Sequence, residues 1–338
     1  MLTVFSPDHA KHHAALELID GTMQPAVETP QRAEMILDAV RASGLGDVVA
    51  PDPLDRAALE RVHPARYLDF LAVAHERWLA EGHTGDAIPL CWPARRLGGP
   101  EPDAIDGRLG YWSFDAGTPI TGGTWAAITA SAMVAATAAR LVAEGERAVF
   151  GLCRPPGHHA YADQFGGYCF LNNAAVAVEA SLASGATKVA VLDVDYHHGN
   201  GTQGIFWERP KVLTISLHGD PRQEYPYFTG YADEVGPAGT NRNFPLPWGT
   251  GIGPWREALD AALAAVRSFG PDVLVVPLGV DTYVEDPISQ FRLETSDYPG
   301  IGAATAALGL PTVVTMEGGY AVEAVGTNVA AFLGGLAG

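Results

Sequence analysis

The feature that most constrains this chain is a regular exchange between two periodicities. Five short runs rich in Val, Ile and Leu, at 147–153, 188–196, 211–217, 272–279 and 311–316, are bounded by Gly, Pro or charged turns. Runs of this kind predict parallel strands covered on both faces. Stretches with helical patterning at 31–43, 124–144, 173–184, 254–268 and 298–308 alternate with them. The alternation predicts an α/β fold, a parallel sheet sandwiched by helices, with right-handed crossovers and a ligand site at the carboxyl ends of the strands. The 338 residues are 47% hydrophobic, enough for one large core. With no internal repeat or low-complexity linker, the reading is a single domain over 1–338, carrying a Gly- and Pro-rich loop insertion at about 83–121.

Charge narrows the partners. Lys and Arg total 21 against 39 Asp and Glu, a formal net charge of −18, which repels a phosphate backbone and favours a cationic ligand. No nucleic acid partner is expected. Cys91, Cys153 and Cys169 are too few and too scattered for a disulfide framework, which fits a reducing compartment. The N-terminus lacks a basic region followed by an apolar stretch, and the Ala-rich segment 124–143 carries Thr, Ser and Arg140. Neither a signal peptide nor a membrane span is expected, and a cytoplasmic location follows.

The chemistry sits at the strand ends. The run from Val189 continues into Asp193-Val-Asp195-Tyr-His197-His198-Gly-Asn200, polar residues that a buried strand would not choose for packing. Period-two alternation puts Asp193, Asp195 and His197 on one side and His198 on the other. Two carboxylates and an imidazole on one side suit a divalent cation, and a further ligand can come from Asp281 at the end of the neighbouring run. No second carboxylate stands two places after Asp281, so the count predicts one metal. Arg154-Pro-Pro-Gly-His158-His159 follows another strand, and its adjacent imidazoles can serve as general base and general acid, oriented by Asp193 and Asn200. Tyr320, after Glu317-Gly-Gly, is either an oxyanion donor or a rim tyrosine capping the core. Gly199-Asn-Gly-Thr-Gln-Gly204 fits a dinucleotide fingerprint but opens beside Asp195 and His197, which would repel or crowd a pyrophosphate.

The segments RPPGHHA, GGYCFLNNAAVA, VLDVDYHHGNGTQGIFW, SLHGD, GVDTYVEDPIS and EGGY together resemble the zinc-dependent histone deacetylase family, of arginase/deacetylase fold. The N-terminal third, with its RAEMILDAV helix and long insertion, is most similar to bacterial acetylpolyamine amidohydrolases. The resemblance implies Asp195, His197 and Asp281 as zinc ligands, one ion per chain with Fe(II) or Co(II) as competitors, His158 and His159 as base and acid, and Tyr320 as oxyanion donor. It implies structural potassium held by Asp193, Ser216 and the carbonyls of Asp195, His197 and Leu217, and a second potassium at the carbonyls of Phe206, Arg209 and Val212. Tyr168 and Tyr225 would wall a substrate tunnel, with the Gly167 carbonyl facing the acetamide N–H. Asn200 stands where some members carry Asp, and Ile288 replaces a Glu that selects polyamines in a eukaryotic relative. A distal ammonium would then be met by Glu17, Asp103, Asp106 or Asp115. The implied activity is metal-assisted release of acetate from acetylputrescine, acetylspermidine or acetylcadaverine by a homodimer whose insertion covers the tunnel mouth, with acetyl-lysine in a protein as the alternative substrate.

Overall fold

The computed structural model describes residues 1–19 and 21–338. Its strands are β1 (Leu2–Val4), β2 (Leu16–Ile19), β3 (Thr22–Pro25), β4 (Val48–Val49), β5 (Ala148–Gly151), β6 (Val189–Asp193), β7 (Val212–Gly219), β8 (Asn241–Leu246), β9 (Val273–Leu278) and β10 (Thr312–Met316). Among the described residues, eight of these form one sheet in the order β4-β1-β5-β10-β9-β6-β7-β8, every pairing parallel, while β2 and β3 pair antiparallel apart from it. The α/β architecture predicted from the alternation is present.

Alternation along the central strands creates two cores. On β6, Val189 and Val191 enter one cluster with helices α3 (Ala65–Ala80), α5 (Thr124–Ala143) and α6 (Asn173–Ala183). Ala190 and Leu192 enter the other with α1 (Pro30–Ser43), α8 (Ile252–Phe269), α9 (Tyr298–Ala306) and α10 (Val322–Ala337). Each fully buried Val or Leu contributes about 1.5–3 kcal/mol, so the central strands hold the sheet together from both faces. Helix α5 is long and apolar enough to cross a membrane by length and composition, and it packs instead against the sheet and α6.

The pattern did not foretell β1, β4 and β8. β1 and β4 are too short to carry a period, and β8 is a polar edge strand that contains Pro245, which an edge tolerates. Within the insertion a helix, Ile105–Tyr111, packs on α3, and the ends meet in a bridge between Ala87 and Ile120. The loops after β5, β10, β9, β6 and β7, five neighbours in the sheet, carry the polar residues singled out above.

Candidate active site

Beyond β6 the Val194 N–H still donates to the Pro277 carbonyl of β9, but the amides that follow turn to carboxylates. The Asp195 N–H donates to Asp193 Oδ1 (3.1 Å), the Tyr196 N–H to Asp281 Oδ1 (2.9 Å) and the His197 N–H to Asp195 Oδ1 (2.8 Å). Gly318 N–H, from the loop after β10, donates to Asp195 Oδ2 (2.8 Å), and a Cβ at Gly318 would press on both Asp281 and Asp195. The result is a compact donor set: one atom each from Asp195, His197 and Asp281 lie within 4.8 Å of one another, all buried. His197 Nδ1 is 3.0 Å from Asp281 Oδ2 and 3.5 Å from Asp195 Oδ1. Burial and the neighbouring Asp195 push the Asp281 carboxyl up to about 8. Among the described residues no Lys or Arg pairs with either carboxylate. Two crowded, buried carboxylates beside an imidazole, with no Lys or Arg to pair them, fit a divalent cation.

The two histidines after β5 are held by different partners. His158 Nδ1–H donates to Asp193 Oδ2 (3.0 Å), and His159 Nδ1–H donates to Asn200 Oδ1 (2.6 Å). Burial opposes charge on His158, but Asp195 and Asp193 overcome it and push the imidazole up to about 10. Burial, with His158 and His197 nearby, holds His159 well below its ordinary value. The pairings expected from the sequence are therefore the ones the fold makes. His198 points away, toward Gln203 and His218, as strand alternation required.

A buried ionic network that sequence reading missed fixes the loops bearing the histidines and Tyr320. The Glu317 carboxylate accepts the N–H groups of Gly157 (2.6 Å) and His158 (3.0 Å). Arg32 donates to the carbonyls of Glu317 (2.7 Å) and Gly319 (2.6 Å) and to Glu28 (2.8 Å). Arg154 grips the same Glu28 through Nε (2.8 Å) and Nη2 (2.9 Å) and donates to the carbonyls of His9 and His12. The only signal was an arginine at a buried strand end. Burial raises the Tyr320 phenol well above its ordinary value, against the pull of Arg32, so it is a donor at neutral pH.

These groups face a cavity of about 800 Å³, whose lining includes His158, His159, His197, Tyr168, Tyr225 and Tyr320. Gly167 adopts φ +55°, and a side chain there would collide with the His159 ring. Ile288 is on the wall. Asp115 lines the cavity too, but its oxygens accept from Gly117 N–H, the Thr118 hydroxyl, Gly167 N–H and the Tyr225 hydroxyl. Glu17 is buried behind Tyr168, accepts from Val27 N–H, and burial pushes its carboxyl up to about 7. Asp106 is not brought to the cavity of its own chain: it pairs with His83 on the insertion surface. Asp103 likewise lies outside the lining, where its carbonyl accepts from Arg77.

Behind β6, a small second cavity is lined by Asp193 and Ser216, which stand opposite each other in register, the Ser216 hydroxyl being 2.8 Å from His218 Nδ1. Leu217 is the next residue of β7. Phe206, Arg209 and Val212 form the tight turn from α7 (Asn200–Phe206) into β7, where the carbonyls of Phe206 and Arg209 accept from Arg209 and Val212 N–H.

A histone deacetylase domain matches residues 26–336. The chain is 55% identical over 341 residues to acetylpolyamine amidohydrolase 2 of Pseudomonas aeruginosa, covering 100% of this chain and 99% of that protein. It is 49% identical to the acetylpolyamine amidohydrolase of Mycoplana ramosa, covering the whole of both. The crystal structure of acetylpolyamine aminohydrolase from Burkholderia pseudomallei superposes with a TM-score of 0.95 at 40% identity, over 99% of this chain and 98% of that one.

Proposed function

The chain belongs to the histone deacetylase family, and on that premise we propose that it is an amidohydrolase that removes the acetyl group from acetylated polyamines or similar slender cationic amines. The whole chain is read as one catalytic domain. The observation that carries the reading is the convergence of Asp195, His197 and Asp281 with two oriented histidines and a buried tyrosine around one cavity with tyrosine walls. Its full-length similarity to acetylpolyamine amidohydrolases supports the substrate class.

Asp195, His197 and Asp281 would hold one divalent ion, zinc before Fe(II) or Co(II), which when bound would polarise the acetyl carbonyl and acidify the attacking water. His159 donates its Nδ1 proton to Asn200, leaving Nε2 with a free lone pair. It is the imidazole able to take a proton from water and return it to the leaving amine. His158 sits between Asp193 and Asp195, which favour its protonated form; this supports an electrostatic role, so the base is assigned to His159 where the sequence reading named His158. The Tyr320 hydroxyl donates to the carbonyl oxygen as it gains charge. The Gly167 carbonyl would accept the acetamide N–H, and Tyr168 and Tyr225 would flank the methylene chain.

Asp193, Ser216 and the carbonyls of Asp195, His197 and Leu217 would hold a structural potassium ion, with Phe206, Arg209 and Val212 at a second. The exposed Leu90 and Leu97 of the insertion support a homodimer.

The test is acetate release from N-acetylputrescine by zinc-loaded protein, beside Tyr320→Phe and His159→Ala. Turnover by the parent with a loss of at least about a hundredfold in each variant is the expected result. Turnover that survives both substitutions, or none by the parent, overturns the reading.

A further inference from the structure

We infer that Glu224 is the carboxylate that recognises the distal ammonium of the substrate, an assignment that rests on the reading of the cavity as a site for slender acetylated amines. A preference for a cationic amine over a neutral amide of the same shape requires a negative group reachable from the cavity with an acceptor to spare. Within one chain, the carboxylates expected to do this are engaged by other donors or lie away from the cavity. Asp115 has both oxygens committed to four donors, Glu17 lies behind Tyr168, and Asp103 and Asp106 stand outside the lining.

Glu224 lines the same cavity, beside Trp248, Gln223 and Gln290 and on the chain next to Tyr225. Its Oε2 accepts from the Tyr196 hydroxyl (2.6 Å) and from Trp248 Nε1 (3.0 Å), which fixes the carboxylate without neutralising it. Among the described residues, Oε1 receives only the long 3.3 Å contact from Tyr225 N–H. No Lys or Arg is among the described residues lining the cavity, and the nearby Arg222 pairs with Asp220. The charge is thus available to a ligand. Tyr196 also connects the two ends of the site: its ring packs edge-on against His197, with centroids 4.9 Å apart, while its hydroxyl holds Glu224. The carboxylate, half-buried, therefore stands about one tyrosine side chain away from the proposed metal ligand.

The test compares kcat/KM for N-acetylputrescine, which ends in an ammonium, with that for N-pentylacetamide, its neutral analogue. Parent, Glu224→Gln and Asp38→Asn proteins are measured. The Gln variant keeps the acceptor for Tyr196 and Trp248. Asp38→Asn removes the same charge from an exposed position on α1. Glu224→Gln should lower the cationic-to-neutral ratio by about tenfold, mainly through KM, and Asp38→Asn should keep it. An unchanged ratio in Glu224→Gln, or equal losses on both substrates, overturns the assignment. Parent protein that hydrolyses neither amide contradicts the functional reading instead. Glu224 is then judged by calorimetric binding of 1,4-diaminobutane, where weaker binding to Glu224→Gln supports the assignment and equal binding overturns it.

Discussion

The Arg32 guanidinium lies over the Tyr320 ring, 4.5 Å from its centroid, while two of its nitrogens hold the carbonyls of Glu317 and Gly319 that lead into that tyrosine. One side chain from α1 thus fixes the loop, the ring and the charge beside the phenol. Removing it leaves Glu28 paired with Arg154 alone and two buried carbonyls without a donor. Arg32→Ala should cost about 3 kcal/mol of stability, as expected for breaking a buried pair. It should also lower kcat more than it raises KM. Urea unfolding and steady-state kinetics on the same preparation check both.

The partner of His159 sets its basicity. Replacing the Asn200 amide by a carboxylate gives the imidazole an ion-pair partner and raises its pKa. Asn200→Asp should therefore shift the acidic limb of the kcat/KM profile to higher pH by about one unit. The parent should remain active to lower pH. A pH–rate profile from 5 to 9 on both proteins checks the direction.

Asp195 and Asp281 crowd two carboxylates into a buried site. A divalent ion bound there stabilises the folded state by linkage. Chelation should abolish acetate release and lower Tm by several degrees, and zinc should restore both. Asp281→Asn should lose activity and lose the zinc-dependent rise in Tm.

His63 is locked as a neutral tautomer: Nδ1–H donates to the Ala162 carbonyl (2.9 Å) and Nε2 accepts the Asn172 N–H (3.0 Å). Burial lowers its pKa from 6.5 to about 4, and burial does the same to His12. Between these values the unfolded chain binds the proton and the folded chain does not, so stability is full above pH 6.5 and falls as pH drops toward 4. Each group contributes up to about 3 kcal/mol to that loss. Urea midpoints should fall from pH 7 to pH 4.5, and the slope should be shallower in His63→Gln.

Much of this was legible in the chain. Short Val/Ile/Leu runs had to be buried strands, and polar residues at their carboxyl ends had to face one another once the strands ran parallel. Asp195, His197 and Asp281 meet for that reason, and so do His158 with Asp193 and His159 with Asn200. Glu28 and Arg32 stand four apart and pair, but that spacing alone reads as an ordinary surface pair; what buries them with Glu317 are backbone carbonyls and amides and a charge over a hundred residues away, as from Glu28 to Arg154. Glu224 was passed over for a similar reason: an acid in a loop reads as solvated until Tyr196 and Trp248 are seen to hold it at the cavity wall. For Asp103 and Asp106 local sequence leaves open whether an acid of the insertion faces solvent or a cavity, and within one chain both lie outside the cavity lining.

The central claim, hydrolysis of slender acetylated amines, is tested most directly in one mixture. Zinc-loaded protein is given equal concentrations of N8-acetylspermidine and an acetyl-lysine peptide, and both deacetylated products are followed over the first few per cent of reaction. The account predicts that spermidine forms faster by at least about a hundredfold. Peptide product formed at an equal or greater rate would contradict it.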